Sequence, residues 1–270
     1  MKRGQGIIID IEAYLDYAVA DPCDVLLQVE AAAMADQHLL AHDLRVTSAV
    51  PLGAVPGEES IGQRTWARAD GTIAVAYTAS VELNRATPAL TDLAANDPFD
   101  LPALVVPYLM PSRYCESERF EAFVHREFGG LIGGARIEAM LGWISEHVDY
   151  VAGVSDAQTT ASHTFVQRQG VCRDFAHLMA SFARASTIPA RLVSGYSPGV
   201  DPPDFHAVVE VWLEDGWHLI DATGMARPDE IVRVAVGRDA TDIAFMTIFG
   251  RAVLQSQWVK VTRRGDSVAP

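Results

Sequence analysis

The chain has 270 residues, 49% apolar and 21% charged, which suits one large domain or two modest ones with a real core. Its 35 acidic and 21 basic residues give a formal charge of −14. That balance argues against nucleic acid or an anionic membrane surface as main partner, because phosphate binding needs positive patches, and no apolar run approaches the roughly 18–20 residues that span a bilayer.

The N-terminal stretch "MKRGQGIIIDIEAYLDYAVADP" has a short apolar run interrupted by Asp10, Glu12 and Asp16. It reads as a first β-strand and makes a poor signal peptide. "CDVLLQVEA" and "HDLRVTSAV" are further strand candidates, and in "TWARADGTIAVAYTASVEL" (65–83) the Asp70-Gly71 pair between β-prone runs signals a hairpin. Residues 1–88 are therefore expected to form an N-terminal antiparallel β-sandwich. Residues 89–116 carry Pro98, Pro102, Pro107 and Pro111 and read as an extended, proline-rich connector.

From 117 the pattern becomes helical. Apolar residues recur three and four apart over 117–128 and 134–150, and a third helix opens at Cys172. Short strands follow at 190–196, 206–213 and 217–223, then "EIVRVAVG" and "RAVLQSQWVKVTR". Helices followed by strands imply an α+β fold, with 117–270 as a second domain of helices packed on an antiparallel sheet.

The cysteines are Cys23, Cys115 and Cys172, an odd and sparse set with no CxxC pair. No disulfide framework and no zinc signature follow, and the chain reads as cytoplasmic with free thiols. No HExxH-like pair supports a metal hydrolase, and no cofactor is expected.

One cysteine has unusual surroundings. In "RQGVCRDFAHLMASF" (168–182), Gly170 permits a turn that a side chain would obstruct, and Asp174 complements the positive end of a helix. Phe175, Leu178, Met179 and Phe182 recur at helical spacing, so Cys172 sits at the start of a buried helix. Unpaired amides and the helix dipole there favour a thiolate and can hold an oxyanion. A buried cysteine is also a common small hydrophobe, so catalysis needs a base as well.

His177 lies on the same helix but about 140° round from Cys172. His38, His42, His125, His147 and His163 read as surface or helix-face residues. His206 opens the strand "HAVVEVWL" after a loop holding Pro202 and Pro203, where a base can face a cleft. In the next strand candidate, Asp221 shares a face with His206 by strict alternation, and His218 falls on the other. If Asp215-Gly216 is the turn, Glu210 pairs with Asp221, which then lies on the order of 13 Å along the strand from His206. A bulge or a shifted register must close that gap.

These stretches resemble a known family. "GVCRDFAHL", "IPARLVSGY" and "FHAVVEVWLEDGWHLIDAT" are similar to the core of the transglutaminase-like superfamily, papain-like cysteine enzymes whose bacterial members carry a preceding β-sandwich. The resemblance extends upstream to "YLMPSRYCESERF" and downstream to "VRVAVGRDATDI". It departs at Val208, Ala222 and "ARPDEI", where bacterial members usually have Trp, Pro and a more polar stretch. It implies Cys172 as nucleophile, His206 as base and Asp221 as orienter, acting through a thioester on a glutamine amide or peptide bond of a protein or peptide substrate. It supplies no side-chain oxyanion donor, so only the Cys172 amide is named. Tyr196 and Trp217 either line the cleft or pack. The alternative reading is a catalytically silent protein-binding module on the same scaffold.

Overall fold

The computed structural model describes residues 6–265. Six strands come first: β1 (Ile7–Val19), β2 (Cys23–Leu27), β3 (Gln37–Val46), β4 (Gly53–Pro56), β5 (Gln63–Ala69) and β6 (Thr72–Leu83). Next come α1 (Glu121–Phe128), α2 (Gly133–His147), β7 (Asp149–Tyr150), α3 (Ala161–Gln167), β8 (Gln169–Gly170) and α4 (Cys172–Ala185). The rest is β9 (Ala190–Tyr196), β10 (His206–Leu213), β11 (Gly216–Ile220), β12 (Val232–Gly237), α5 (Ala240–Ile243), β13 (Met246–Ile248) and β14 (Ala252–Arg263). Among the described residues no helix is long and apolar enough to cross a membrane.

Two four-stranded antiparallel sheets, ordered β14-β1-β6-β3 and β13-β2-β5-β4, form the sandwich. Alternation drives it: Ile9, Ile11, Ala13 and Leu15 of β1 are buried with Ile73, Val75, Tyr77 and Val81 of β6 and Val25 and Leu27 of β2. The hairpin between β5 and β6 turns at Asp70-Gly71, with Gly71 at φ 74°.

A third antiparallel sheet, β11-β10-β9-β12, carries α4 on one face. Phe175, Leu178, Met179 and Phe182 are buried as the periodicity predicts, but the helix is enclosed all round. Its polar groups are answered individually. Ser181 donates to the His177 carbonyl at 2.7 Å, and Arg184 donates to the Ala190 and Arg238 carbonyls.

The α+β class and the sandwich stand as expected, but three boundaries move. The strands β13 and β14 fall inside the expected 117–270 domain, yet they pair with β2 and β1 and complete the sandwich. Ile11 opposes Val261 and Met246 opposes Leu27, so the helices and third sheet are inserted between sandwich strands. The 89–116 connector is not extended throughout. It holds three 3-10 turns, at Leu90–Asp92, Pro98–Asp100 and Val106–Leu109, and proline occupies the first helical positions of two of them, where its missing N–H costs nothing. The helix expected over 134–150 stops at His147, because Asp149 and Tyr150 pair with Gln169 and Gly170 as a parallel ladder.

Charge ties the layers together. Glu210 of β10 is fully buried, and its two oxygens accept from Arg191 at 2.7 Å and from Arg233 at 2.8 Å. Those guanidiniums also reach Glu59 and Asp36 from the sandwich side. Removing only the carboxylate strands two buried cations. Glu210→Ala is expected to cost about 3–5 kcal/mol, read as a lowered denaturation midpoint in urea.

Candidate active site

The strand β8 runs directly into α4, which is why Cys172 starts a helix. Val171 is extended, and its N–H donates to Asp174 Oδ2 at 2.9 Å, so Asp174 caps the helix from inside its first turn. A Cβ on Gly170 would stand 2.8 Å from the Asp174 Cβ, closer than side chains tolerate. Glycine there makes room for the cap. Arg173 holds the same carboxylate and donates to Ser155 Oγ at 3.2 Å.

The third sheet brings the other two groups together. The turn joining β10 to β11 is Glu214-Asp215, both left-handed at φ 46° and 58°, and not Asp215-Gly216. Glu210 consequently opposes Leu219, a register shifted by two residues from the expected one. Face parity survives such a shift, while the offset of Asp221 from His206 along the strand halves to about 7 Å. His206 Nε2 lies 2.9 Å from Asp221 Oδ2, with both side chains 2% exposed. Asp221 further accepts from the Thr223 and Ala226 amides at 2.9 and 2.8 Å and from the Thr223 hydroxyl.

Burial alone would lower the His206 pKa. The hydrogen bond to Asp221, and the charges that Asp221 and the neighbouring Cys172 sulfur bring, outweigh it and raise the imidazole from its ordinary value to about 9. For Asp221 burial works upward, and the His206 partnership with the two amides overcomes it and holds the carboxyl below its ordinary range. Nε2 being taken by Asp221, Nδ1 is the free ring nitrogen, and it has no hydrogen-bond partner among the described residues.

Cys172 and His206 line one cavity of about 700 Å³, with Arg113, Tyr114, Asp204, Phe205 and the run 240–248 apart from Asp242. Asp221 backs onto a separate cavity of about 250 Å³ that reaches neither Cys172 nor His206. His177 is fully buried and accepts from the Ala240 amide at 3.1 Å, and burial drives its pKa down to about 3, so it is a neutral packing residue. His218 bonds the Leu213 carbonyl on the other sheet face. Tyr196 is buried and donates to the Val29 carbonyl, and Trp217 stacks edge-on against Tyr108, so neither lines the thiol cavity.

The structure adds Tyr150, which the apparent helix over 134–150 concealed. Its backbone pairs with Gly170, two residues before Cys172, and its hydroxyl is near enough to the Cys172 thiol to feel its charge. Burial, reinforced by the thiol's charge, pushes the hydroxyl up to about 12. Thr223 was also missed, although an Asp followed two residues later by Thr is a common side-chain-to-amide turn signal.

A family model described as the Transglutaminase-like superfamily matches residues 131–222. A solved structure of a candidate cysteine protease from Cytophaga hutchinsonii is 31% identical, with a TM-score of 0.90 over 99% of this chain and 94% of that one. An uncharacterized protein of Mycobacterium leprae is 32% identical over 38% of this chain. A protein-glutamine gamma-glutamyltransferase of Pseudomonas aeruginosa is 40% identical over 25% of it. Those two matches span only 39% and 12% of the relatives' own lengths.

A histidine raised above its unfolded value stabilises the fold below the unfolded pKa, and loses that contribution as pH rises through the folded one. Here the contribution, on the order of 3 kcal/mol, is full below pH ~6.5 and gone above ~9. Thermal melts from pH 6 to 10 should show wild type losing its advantage over His206→Gln across that window. A constant offset between the two curves would contradict the assignment.

Proposed function

The chain belongs to the transglutaminase-like superfamily, and on that premise we propose that it is a cysteine-dependent amidase or protease acting through a thioester, with Cys172, His206 and Asp221 as its triad. The observation that carries this reading is the buried His206–Asp221 pair, whose free ring nitrogen serves the cavity that Cys172 lines from a helix start.

The chemistry has two halves. The Cys172 sulfur attacks the carbonyl carbon of a glutamine amide or peptide bond, and the C–S bond forms as the carbonyl becomes an oxyanion. The oxyanion is assigned to the Cys172 amide, with the Tyr150 hydroxyl, on the strand residue paired with Gly170, proposed as the side-chain donor. Collapse breaks the C–N bond, and His206 gives its proton to the departing ammonia or amine. Water then adds to the thioester carbon and gives a proton to His206, and breaking of the C–S bond releases the acid and restores the Cys172 thiolate. We favour water over an amine as acceptor because the cavity is broad and solvent is far more concentrated than any amine.

Protein incubated with a glutamine peptide and with an unmodified peptide should release ammonia or free amine, and Cys172→Ala should release neither. Crosslinking to an added amine in place of hydrolysis would move the assignment to transfer, and no product at all would favour a silent binding module. Tyr150→Phe should lower kcat by about 10²–10³, the usual effect of losing one oxyanion donor.

Thiol labelling is an independent check. Iodoacetamide should modify Cys172 at pH ~6 well before Cys115, which is fully buried and whose thiol burial pushes up. His206→Ala should slow that labelling, and Asp221→Ala should act more weakly because Asp221 works through the imidazole. Equal labelling of Cys172 and Cys115, unchanged in His206→Ala, would make Cys172 an ordinary thiol.

A further inference from the structure

One wall of the thiol cavity runs from α5 into a strand of the sandwich. The run 240–248 begins at Ala240, bonded to His177, which stacks on Tyr114 at 5.0 Å. It continues to Phe245, whose ring stacks on Phe205 with centroids 4.2 Å apart and planes 5° from parallel. Phe205 immediately precedes His206, so this wall reaches the imidazole.

The run ends in β13, an edge strand that among the described residues pairs only with β2. Its hydrogen bonding has a definite sense. Gln28 N–H donates to the Phe245 carbonyl at 2.8 Å and Phe249 N–H to the Asp24 carbonyl at 2.9 Å, with no register break between them. In an antiparallel ladder the bonded positions alternate, so 245, 247 and 249 turn their main chain towards β2. Met246 and Ile248 turn theirs the other way, and among the described residues nothing pairs with their N–H or C=O groups. Both residues line the cavity and are only half-buried.

Edge strands are ordinarily protected against pairing. The other sandwich edges are: β14 carries Lys260 and Arg263, β3 carries Asp43 and Arg45, and β4 ends in Pro56. The sequence Met-Thr-Ile of β13 has no charge and no proline.

We infer that the cleft takes its substrate as an extended peptide strand added to the free edge of β13, with a large apolar side chain beside the reacting carbonyl seated against Phe205 and Phe245. Main-chain bonds to Met246 and Ile248 supply affinity that is blind to sequence, and the apolar wall supplies selectivity. The substrate class is then a flexible, apolar-containing protein segment or peptide, and helical or tightly folded segments are excluded. This rests on the thiol chemistry proposed above.

The test uses acetyl-Ala-Ala-Phe chloromethyl ketone, its Gly analogue, and versions of the Phe probe N-methylated at each amide in turn. In each, Cys172 sulfur displaces chloride, and the rate is read from the peptide mass. The Phe probe should react at least ~10-fold faster than the Gly probe, and methylation of one amide should slow it by about 10-fold. Ile248→Pro removes an outward N–H without touching the ladder to β2. The N-methyl penalty should vanish in Ile248→Pro and persist in Ile248→Ala, which keeps the N–H and loses the side chain. Iodoacetamide, needing no peptide contact, should label Cys172 at one rate in all three proteins. If iodoacetamide labels Cys172 readily while all ketones react alike, the strand-addition proposal is overturned and the thiol chemistry stands. If iodoacetamide also fails, both fall.

Discussion

A carboxylate with no exposure sits in the middle of the strand that carries His206, and the arrangement around it depends on neutralising that charge. Glu210 is acceptable in the interior only because Arg191 and Arg233 answer one oxygen each. Those cations are themselves buried, and Glu59 and Asp36 complete their coordination from outside the third sheet. Arg85 extends the chain of charges to the Pro228 and Ile231 carbonyls beside Asp221's loop. The third sheet is therefore electrically complete only when the sandwich is docked. An apolar trio of similar volume would pack as stably, but it would not specify one seating of the sandwich on the sheet.

Each group of the proposed triad has a fixed place on α4 or the third sheet. Cys172 lies at the first residue of a fully enclosed helix, His206 at the first residue of a central strand, and Asp221 one residue past the end of its neighbour. All three stand at the ends of rigid elements, where backbone groups are unpaired and side chains can point into a cleft. Asp221 sits in loop backbone, and it is held there by the Thr223 and Ala226 amides. The imidazole is thereby oriented by a group that has little freedom to move.

Much of this was legible in the residues, and the gaps have physical causes. Gly170, Asp174 and the apolar spacing after them marked a buried helix start, because capping and periodicity are local. The shared face of His206 and Asp221 was also legible, since parity is unchanged when a register slips by two. Their closeness was not, because Asp215-Gly216 imitates a hairpin turn while the chain turns on Glu214-Asp215, where Glu214 does not advertise a left-handed backbone. Tyr150 was hidden by an apolar rhythm that runs past the true helix end at His147. The destination of the last strands was beyond local reading: "RAVLQSQWVKVTR" pairs with the strand at the other end of the chain, and nothing nearby records that partner.

The return of the chain to its first sheet orders events during synthesis. Ile11 emerges from the ribosome early and waits for Val261, with the whole helical insertion made in between. Such distant pairing is slow to form, so the helix–sheet core around α4 has time to condense first. Cys172, His206 and Asp221 all precede β13 in translation, and the edge proposed to receive a peptide strand is made after them. On the proposed reading, a nascent chain carries its thiol before the edge that would hold a peptide against it, so the group and its reach are made at different times.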